Sequence, residues 1–164
     1  MKKCIILQIN YLILICLFIP CVAIAQPICQ IQRFSAYNGL AQRSVTNILQ
    51  DSKGFIWFST WNGLNKFDGY TFKNYKAFPG DGCTLTSNRL AKITQTQTCD
   101  IWCQTYDLRI YLFDSRREKF IDILRPYENE KQQTYAVQNV YTLPKGVSWI
   151  VCDRGAFRID EQAY

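Results

Sequence analysis

No histidine occurs among the 164 residues of this chain. That absence removes the Ser-His-Asp and Cys-His arrangements of nucleophilic catalysis and every imidazole metal site. Cys99 and Cys103 lie four positions apart, a spacing that matches no zinc knuckle. A glycosidase-like pair of carboxylates needs two marked acids. None stand out, and Glu128 and Glu130 sit in a polar stretch that reads as solvated loop. The expectation is no catalytic residue, no metal and no cofactor. Recognition chemistry remains. Trp61-Asn62 and Tyr106-Asp107 each set an aromatic ring beside a polar side chain, and Asp153-Arg154 adds two charges. Such rings can stack on the C–H face of a sugar while their neighbours bond its hydroxyls. These six residues are the candidate ligand contacts. Turn formation or packing is the competing role for each.

The elements that must position them are written three times. Asp51-Ser52-Lys53-Gly54-Phe55-Ile56-Trp57 opens a motif closed by Phe67-Asp68. Asp100-Ile101-Trp102, closed by Phe113-Asp114, and Trp149-Ile150-Val151, closed by Ile159-Asp160, repeat it. The three tryptophans are spaced 45 and 47 residues apart. A period of about 40–50 residues built from short alternating segments is the signature of β-propeller blades. Strands are expected at 45–50, 55–60, 64–68 and 70–75; at 90–95, 101–106, 110–114 and 119–124; and at 137–143, 147–152 and 156–160. Asp51 and Gly54 frame a hairpin turn, and Asp68, Asp114 and Asp160 recur as turn caps rather than as catalytic acids. Trp57, Trp102 and Trp149 share one register with apolar flanks, which is how residues packed between blades behave. The inner strands repeat an apolar pair as well: Val45 with Ile48, Leu90 with Ile93, Val137 with Val140. Loops are expected at 77–88 and 126–135, on the same side as the turns holding Trp61, Tyr106 and Asp153.

The first residues read as a targeting segment. Lys2 and Lys3 precede a mostly apolar run from Ile5 to Val22, and Ala23-Ile24-Ala25 fits a small-x-small cleavage site. An uncleaved anchor is the alternative, because the run is about as long as a membrane span needs. Pro20 argues against a lipid anchor on Cys21. Export leaves Cys29, Cys83, Cys99, Cys103 and Cys152, an odd set that gives no complete disulfide framework. Cys103 and Cys152 read as small apolar strand residues. The net charge of +6 falls to +4 without Lys2 and Lys3, and the bases form no stripe along which a phosphate backbone could run. Nucleic acid is therefore not an expected partner.

Tyr37-Asn38-Gly39-Leu40, Ser44-Val45-Thr46, Asp51-Ser52-Lys53-Gly54, Trp57, Thr60, Gly63-Leu64, Phe67-Asp68-Gly69 and Phe72 together closely resemble the two-component regulator propeller repeat. The resemblance is specific over 37–72, fair over 87–114 and weaker over 137–160. It implies an all-β fold, here an incomplete propeller of about three four-stranded blades. The organisation expected is an export signal or anchor at 1–25, a lead-in strand and loop at 26–44, blades at 45–76 and 77–124 with their connector, and a partial blade at 125–164. Rings need about four to eight blades, so the chain reads as the first part of a larger ring, with Ile31 and Phe34 in a strand that completes the last blade. The family places such propellers in the periplasmic sensor of hybrid two-component systems, anchored in the inner membrane ahead of a histidine kinase. This implies an oligosaccharide ligand, a downstream kinase region as partner and a possible homodimer. With no histidine, the chain itself cannot autophosphorylate. A non-signalling carbohydrate- or protein-binding propeller is the alternative, and a fragment of a glycan-active propeller enzyme a third.

Overall fold

Short alternating segments joined by Asp/Gly turns can bury one face at a time, and they fold as antiparallel meanders. The computed structural model describes residues 11, 29–77 and 85–163. Residues 1–10 and 12–28, which hold nearly all of the expected export segment, and residues 78–84, with Pro79-Gly80-Asp81-Gly82 and Cys83, lie outside them. The chain divides into residues 1–33 and residues 34–164, and the described sheets belong to the second unit. The first sheet holds β1 (Val45–Gln50), β2 (Ile56–Thr60), β3 (Gly63–Phe67) and β4 (Phe72–Tyr75), in that spatial order. The second holds β5 (Leu90–Gln95), β6 (Ile101–Thr105), β7 (Ile110–Asp114) and β8 (Lys119–Ile121), and the third β9 (Val137–Leu143), β10 (Val147–Cys152) and β11 (Gly155–Asp160). Inner strands lie side by side: Thr46 Oγ1 donates to the Leu90 carbonyl (2.8 Å), and Lys92 Nζ to Asn139 Oδ1 (2.8 Å). This is the arrangement of propeller blades, three of them among the described residues, the third with three strands.

The tryptophan register explains the packing. Trp57 stands opposite Leu49 and Lys66, Trp102 opposite Thr94 and Leu112, and Trp149 opposite Tyr141 and Arg158. In the first two blades the ring points toward the blade that follows. Trp57 packs with Ile101, Cys103, Tyr111 and Phe113 of the second blade, its ring 5.7 Å from that of Phe113. Trp102 packs with Val137, Val140 and Ile150 of the third. Each buried ring contributes roughly 2–3 kcal/mol. Trp149, expected to pack in the same way, is instead 37% exposed beside Tyr141 and Leu143, because no described residue lies on that side. Val45 and Ile48 mirror this at the other end. Their equivalents Leu90, Ile93, Val137 and Val140 are buried against the preceding blade, whereas the rear face of the first blade has no such neighbour among the described residues. Phe34 covers part of it, 4.9 Å from the Phe67 ring and 5.6 Å from Phe72. Ile31 is exposed, and residues 31–34 form no strand.

The 126–135 stretch, expected as loop, contains helix α1 (Arg125–Lys131). Pro126 stands in its first turn, Glu128 follows there, and Lys131 closes it, all favourable to a short helix. Glu128 is also not solvated. It is buried and accepts both terminal nitrogens of Arg109, each at 2.6 Å, while Arg109 reaches Asp122 at 3.2 Å. Burial opposes the Arg109 charge, but the bond and charge of Glu128 and then the charge of Asp122 outweigh it and hold the guanidinium pKa above its ordinary value.

Turn chemistry repeats with one substitution. Asp51 Oδ1 accepts the Lys53 and Phe55 amides (2.9 and 3.0 Å), and its Oδ2 accepts Trp57 Nε1 (2.8 Å). In the second blade Thr96 occupies that corner and has no carboxylate to offer. Trp102 Nε1 donates to Ser148 Oγ (2.9 Å), Ser148 donates to the buried Glu161, and Glu161 accepts the Gln97 amide (2.7 Å). A carboxylate from the end of the third blade thus does for the second turn what Asp51 does within the first. Cys99, in the place of Gly54, keeps the left-handed backbone at φ 70°. The third-strand acids cap as expected: Asp68 accepts the Tyr70 and Thr71 amides, Asp114 those of Arg116 and Arg117, and Asp160 that of Gln162. Cys103 and Cys152 are free and buried, and burial pushes both thiols up.

Candidate functional site

The turns after β2, β6 and β10 are tied by main-chain hydrogen bonds to the segments that enter each inner strand. Trp61 N donates to the Ser44 carbonyl (3.3 Å), Tyr106 N to Arg89 (2.9 Å) and Asp153 N to Ala136 (3.0 Å), the same bond at three repeat positions. Bonds between blades add to them. Gly63 N reaches the Asn88 carbonyl (2.8 Å), and Val137 N reaches Leu108 (2.7 Å). Turns and connectors therefore share one face, as expected. Such a face, carried on a rigid scaffold, is where loops bearing function collect.

Two candidate rings meet there. Trp61 of the first blade and Tyr106 of the second lie edge to face, centroids 6.0 Å apart, 42% and 49% exposed. Between their blades stands a residue the sequence reading did not single out. The Arg89 guanidinium carbon lies 4.6 Å from the Trp61 ring centroid and 5.3 Å from that of Tyr106, both within cation–π range. A lone arginine in a connector carries no periodic signal, although its position just before an inner strand, equivalent to Ser44 and Ala136, places it beside the turns.

The other candidates behave differently. Asn62 is a turn residue: its amide donates to Thr60 Oγ1 (3.1 Å) and its side chain to the Ala41 carbonyl (3.4 Å). Asp107 is exposed and accepts Thr86 Oγ1 (3.2 Å), which also bonds the Tyr111 hydroxyl (2.8 Å). Asp153 accepts the Ala136 amide (3.0 Å) and pairs with Arg154 at 3.6 Å. No hydrogen bond, ion pair or ring contact among the described residues joins Asp153 or Arg154 to the Trp61–Tyr106 pair. The structure thus brings together Trp61 and Tyr106, adds Arg89, sets Asp107 one residue along, and leaves the third turn apart. Below Tyr106, the Arg109–Glu128 pair fixes the turn to α1, and Glu128 also accepts the Tyr135 amide (3.0 Å). None of these groups forms a nucleophile–base pair, and no helix among the described residues is long and apolar enough to cross a membrane.

The comparisons agree with this architecture. Residues 39–62 match the family model described as two component regulator propeller. Over 53 residues the chain is 47% identical to Histidine kinase P4 of Formosa agariphila, a match covering 32% of this chain and 4% of that protein. Among solved structures, it is similar to the extracellular domain of the hybrid two-component system BT3049 of B. thetaiotaomicron, with a TM-score of 0.65 and 27% identity over 80% of this chain and 19% of that one. The extracellular domain of BT4673 from the same organism shares the fold, with a TM-score of 0.57 and 19% identity over 84% of this chain and 19% of that one. The chain spans a small fraction of each relative. Residues 39–62 thus carry the repeat described as two component regulator propeller, and the described sheets are similar in fold to the extracellular domain of a hybrid two-component system.

Proposed function

We propose that this propeller senses oligosaccharides in the periplasm and passes the signal to a histidine kinase region in the same system. The observation that supports this most is the exposed Trp61–Tyr106 pair on the turn face. Partly open aromatic rings that are already held in place by neighbouring blades suit the C–H faces of sugars, and little side-chain freedom is lost when they bind. Asp107 and Asn62 lie next to the rings and supply hydrogen-bonding groups. The role is recognition and not turnover, with no catalytic residue, no cofactor and no nucleic-acid partner. Export by the segment at 1–25 and pairing of full-length sensors as homodimers belong to the same reading. The alignment of three turns and their connectors gives a mechanical route by which ligand at one turn would tighten the neighbouring blade.

A glycan array probed with the chain and with Trp61→Ala tests the proposal. Saccharide binding that falls by about tenfold or more in the variant, as expected for losing a stacking residue at the centre of a site, would support it. Undiminished binding in Trp61→Ala would make that ring structural, and absence of any saccharide binding by folded protein would end the reading.

A further inference from the structure

We propose that Trp61, Arg89 and Tyr106 form a subsite for an anionic saccharide, one bearing a carboxylate or a sulfate; this rests on the saccharide-sensing reading above. The argument starts from the state of the Arg89 guanidinium. Arg109, Arg117 and Arg154 are each paired with a carboxylate, whereas Arg33, Arg43, Arg116, Arg125 and Arg158, like Arg89, form no ion pair among the described residues, and of these six Arg89 is the one set against aromatic rings. Arg89 is exposed, and its guanidinium has no carboxylate within 4 Å among the described residues. Its partners are two ring faces, at 4.6 and 5.3 Å. Asp107, the nearest acid in sequence to Tyr106, bonds Thr86 instead.

The guanidinium lies beside two rings set 86° apart, and no carboxylate among the described residues takes up its planar fork of N–H donors. That planar fork matches two oxygens of a carboxylate or a sulfate. The rings come from two blades, and Arg89 is anchored through its own carbonyl to the Tyr106 amide and through its amide to Ser87 Oγ (3.2 Å). The cation is therefore positioned before any ligand arrives, and the exposed parts of Trp61 and Tyr106 leave apolar area beside it for a sugar ring. A neutral sugar would use the rings alone. An acidic one uses rings and cation together.

Calorimetry on the full chain, with three tetrasaccharides as probes, separates the cases: tetragalacturonate for the carboxylate, a sulfated carrageenan tetrasaccharide for the sulfate, and maltotetraose as the neutral control. The proposal expects one anionic probe to bind at least about tenfold tighter than maltotetraose, and which of the two does so identifies the anion. Arg89→Gln should erase that preference, so that the anionic probes bind this variant no more tightly than maltotetraose does. Arg89→Lys, which keeps the charge but not the fork, should retain part of it, and added salt should weaken the anionic probes alone. Circular dichroism checks that each variant folds. If neutral and anionic probes bind equally, or Arg89→Gln leaves the preference intact, the anionic assignment is wrong while saccharide sensing stands. If no probe binds folded protein, both readings fall.

Discussion

Replacing Glu128 by glutamine should destabilise the chain by about 2 kcal/mol, and the structure gives each part of that figure. The Arg109 and Glu128 side chains are 19% and 9% exposed, and two contacts of 2.6 Å join them. Breaking a fully buried pair costs about 3–5 kcal/mol because a charge is left uncompensated. An exposed pair is worth about 0–1 kcal/mol. This pair is nearer the buried limit, but Asp122 stays at 3.2 Å to share the Arg109 charge, which lowers the cost. The amide of Glu128→Gln can still accept the Tyr135 N–H, so main-chain satisfaction is kept. Glu128→Ala loses that acceptor too and should cost about 1 kcal/mol more. The assay is urea unfolding of the chain, of Arg109→Met, of Glu128→Gln and of the double variant. A coupling energy of about 1.5 kcal/mol is expected. Additivity within about 0.5 kcal/mol would mean that the two residues act independently, and the claim that they clamp the Tyr106 turn to α1 would fail.

Three other outcomes follow from local geometry. At Gly63 an added Cβ would lie 2.3 Å from the Tyr75 carbonyl oxygen with φ at 98°, whereas at Gly69, φ 100°, it would meet nothing within 4 Å. Gly63→Ala should therefore cost more than about 3 kcal/mol and Gly69→Ala about 1 kcal/mol in urea unfolding; equal costs would refute the close approach of the first turn to the connector. Trp57→Phe keeps the ring but orphans the Asp51 carboxylate oxygen that accepts its indole N–H, so a loss of about 2 kcal/mol is expected by thermal melting, against less than about 1 kcal/mol if that bond were idle. Glu118 is held below the usual carboxylate range by bonds from Lys73 and then Tyr75, and Asp114, despite burial, by the Arg117 and Arg116 amides. Because the folded values lie below the unfolded ones, their stabilisation is complete above the ordinary carboxylate range and drains as pH falls through it. The urea midpoint should be flat between about pH 7 and 5.5 and decline below about pH 4.5, less steeply in Glu118→Gln; a midpoint that rises on acidification would contradict the assignment.

The fold was legible wherever one short rule decided the outcome. Alternation between short turn segments gave the bounds of β1, β5, β9 and β10 to the residue, since a strand of period two between turns has few alternatives. The shared register of Trp57 and Trp102 was legible too. The exposure of Trp149 and Ile48 was not, because burial depends on what lies opposite, and one strand's pattern is silent on that. Helix α1 left a readable trace in Pro126, Glu128 and Lys131, but its pattern is too short for periodicity to reveal. The Arg109–Glu128 pair, the relay from Trp102 through Ser148 to Glu161, and the placing of Arg89 over two rings all join residues distant in sequence. Residue type alone made Trp61 and Tyr106 candidates; the third dimension decided that these two meet and that Asp153 and Arg154 stand apart.

The most direct test of ligand sensing at the turn face is amide hydrogen exchange on the folded chain, with and without the tetrasaccharide it binds most tightly. The account predicts slower exchange at residues 61–63, 86–89 and 105–109, with the turns at 51–54 and 96–99 unchanged. Slowing confined to those latter turns, or to the exposed face around Tyr141 and Trp149, would contradict it.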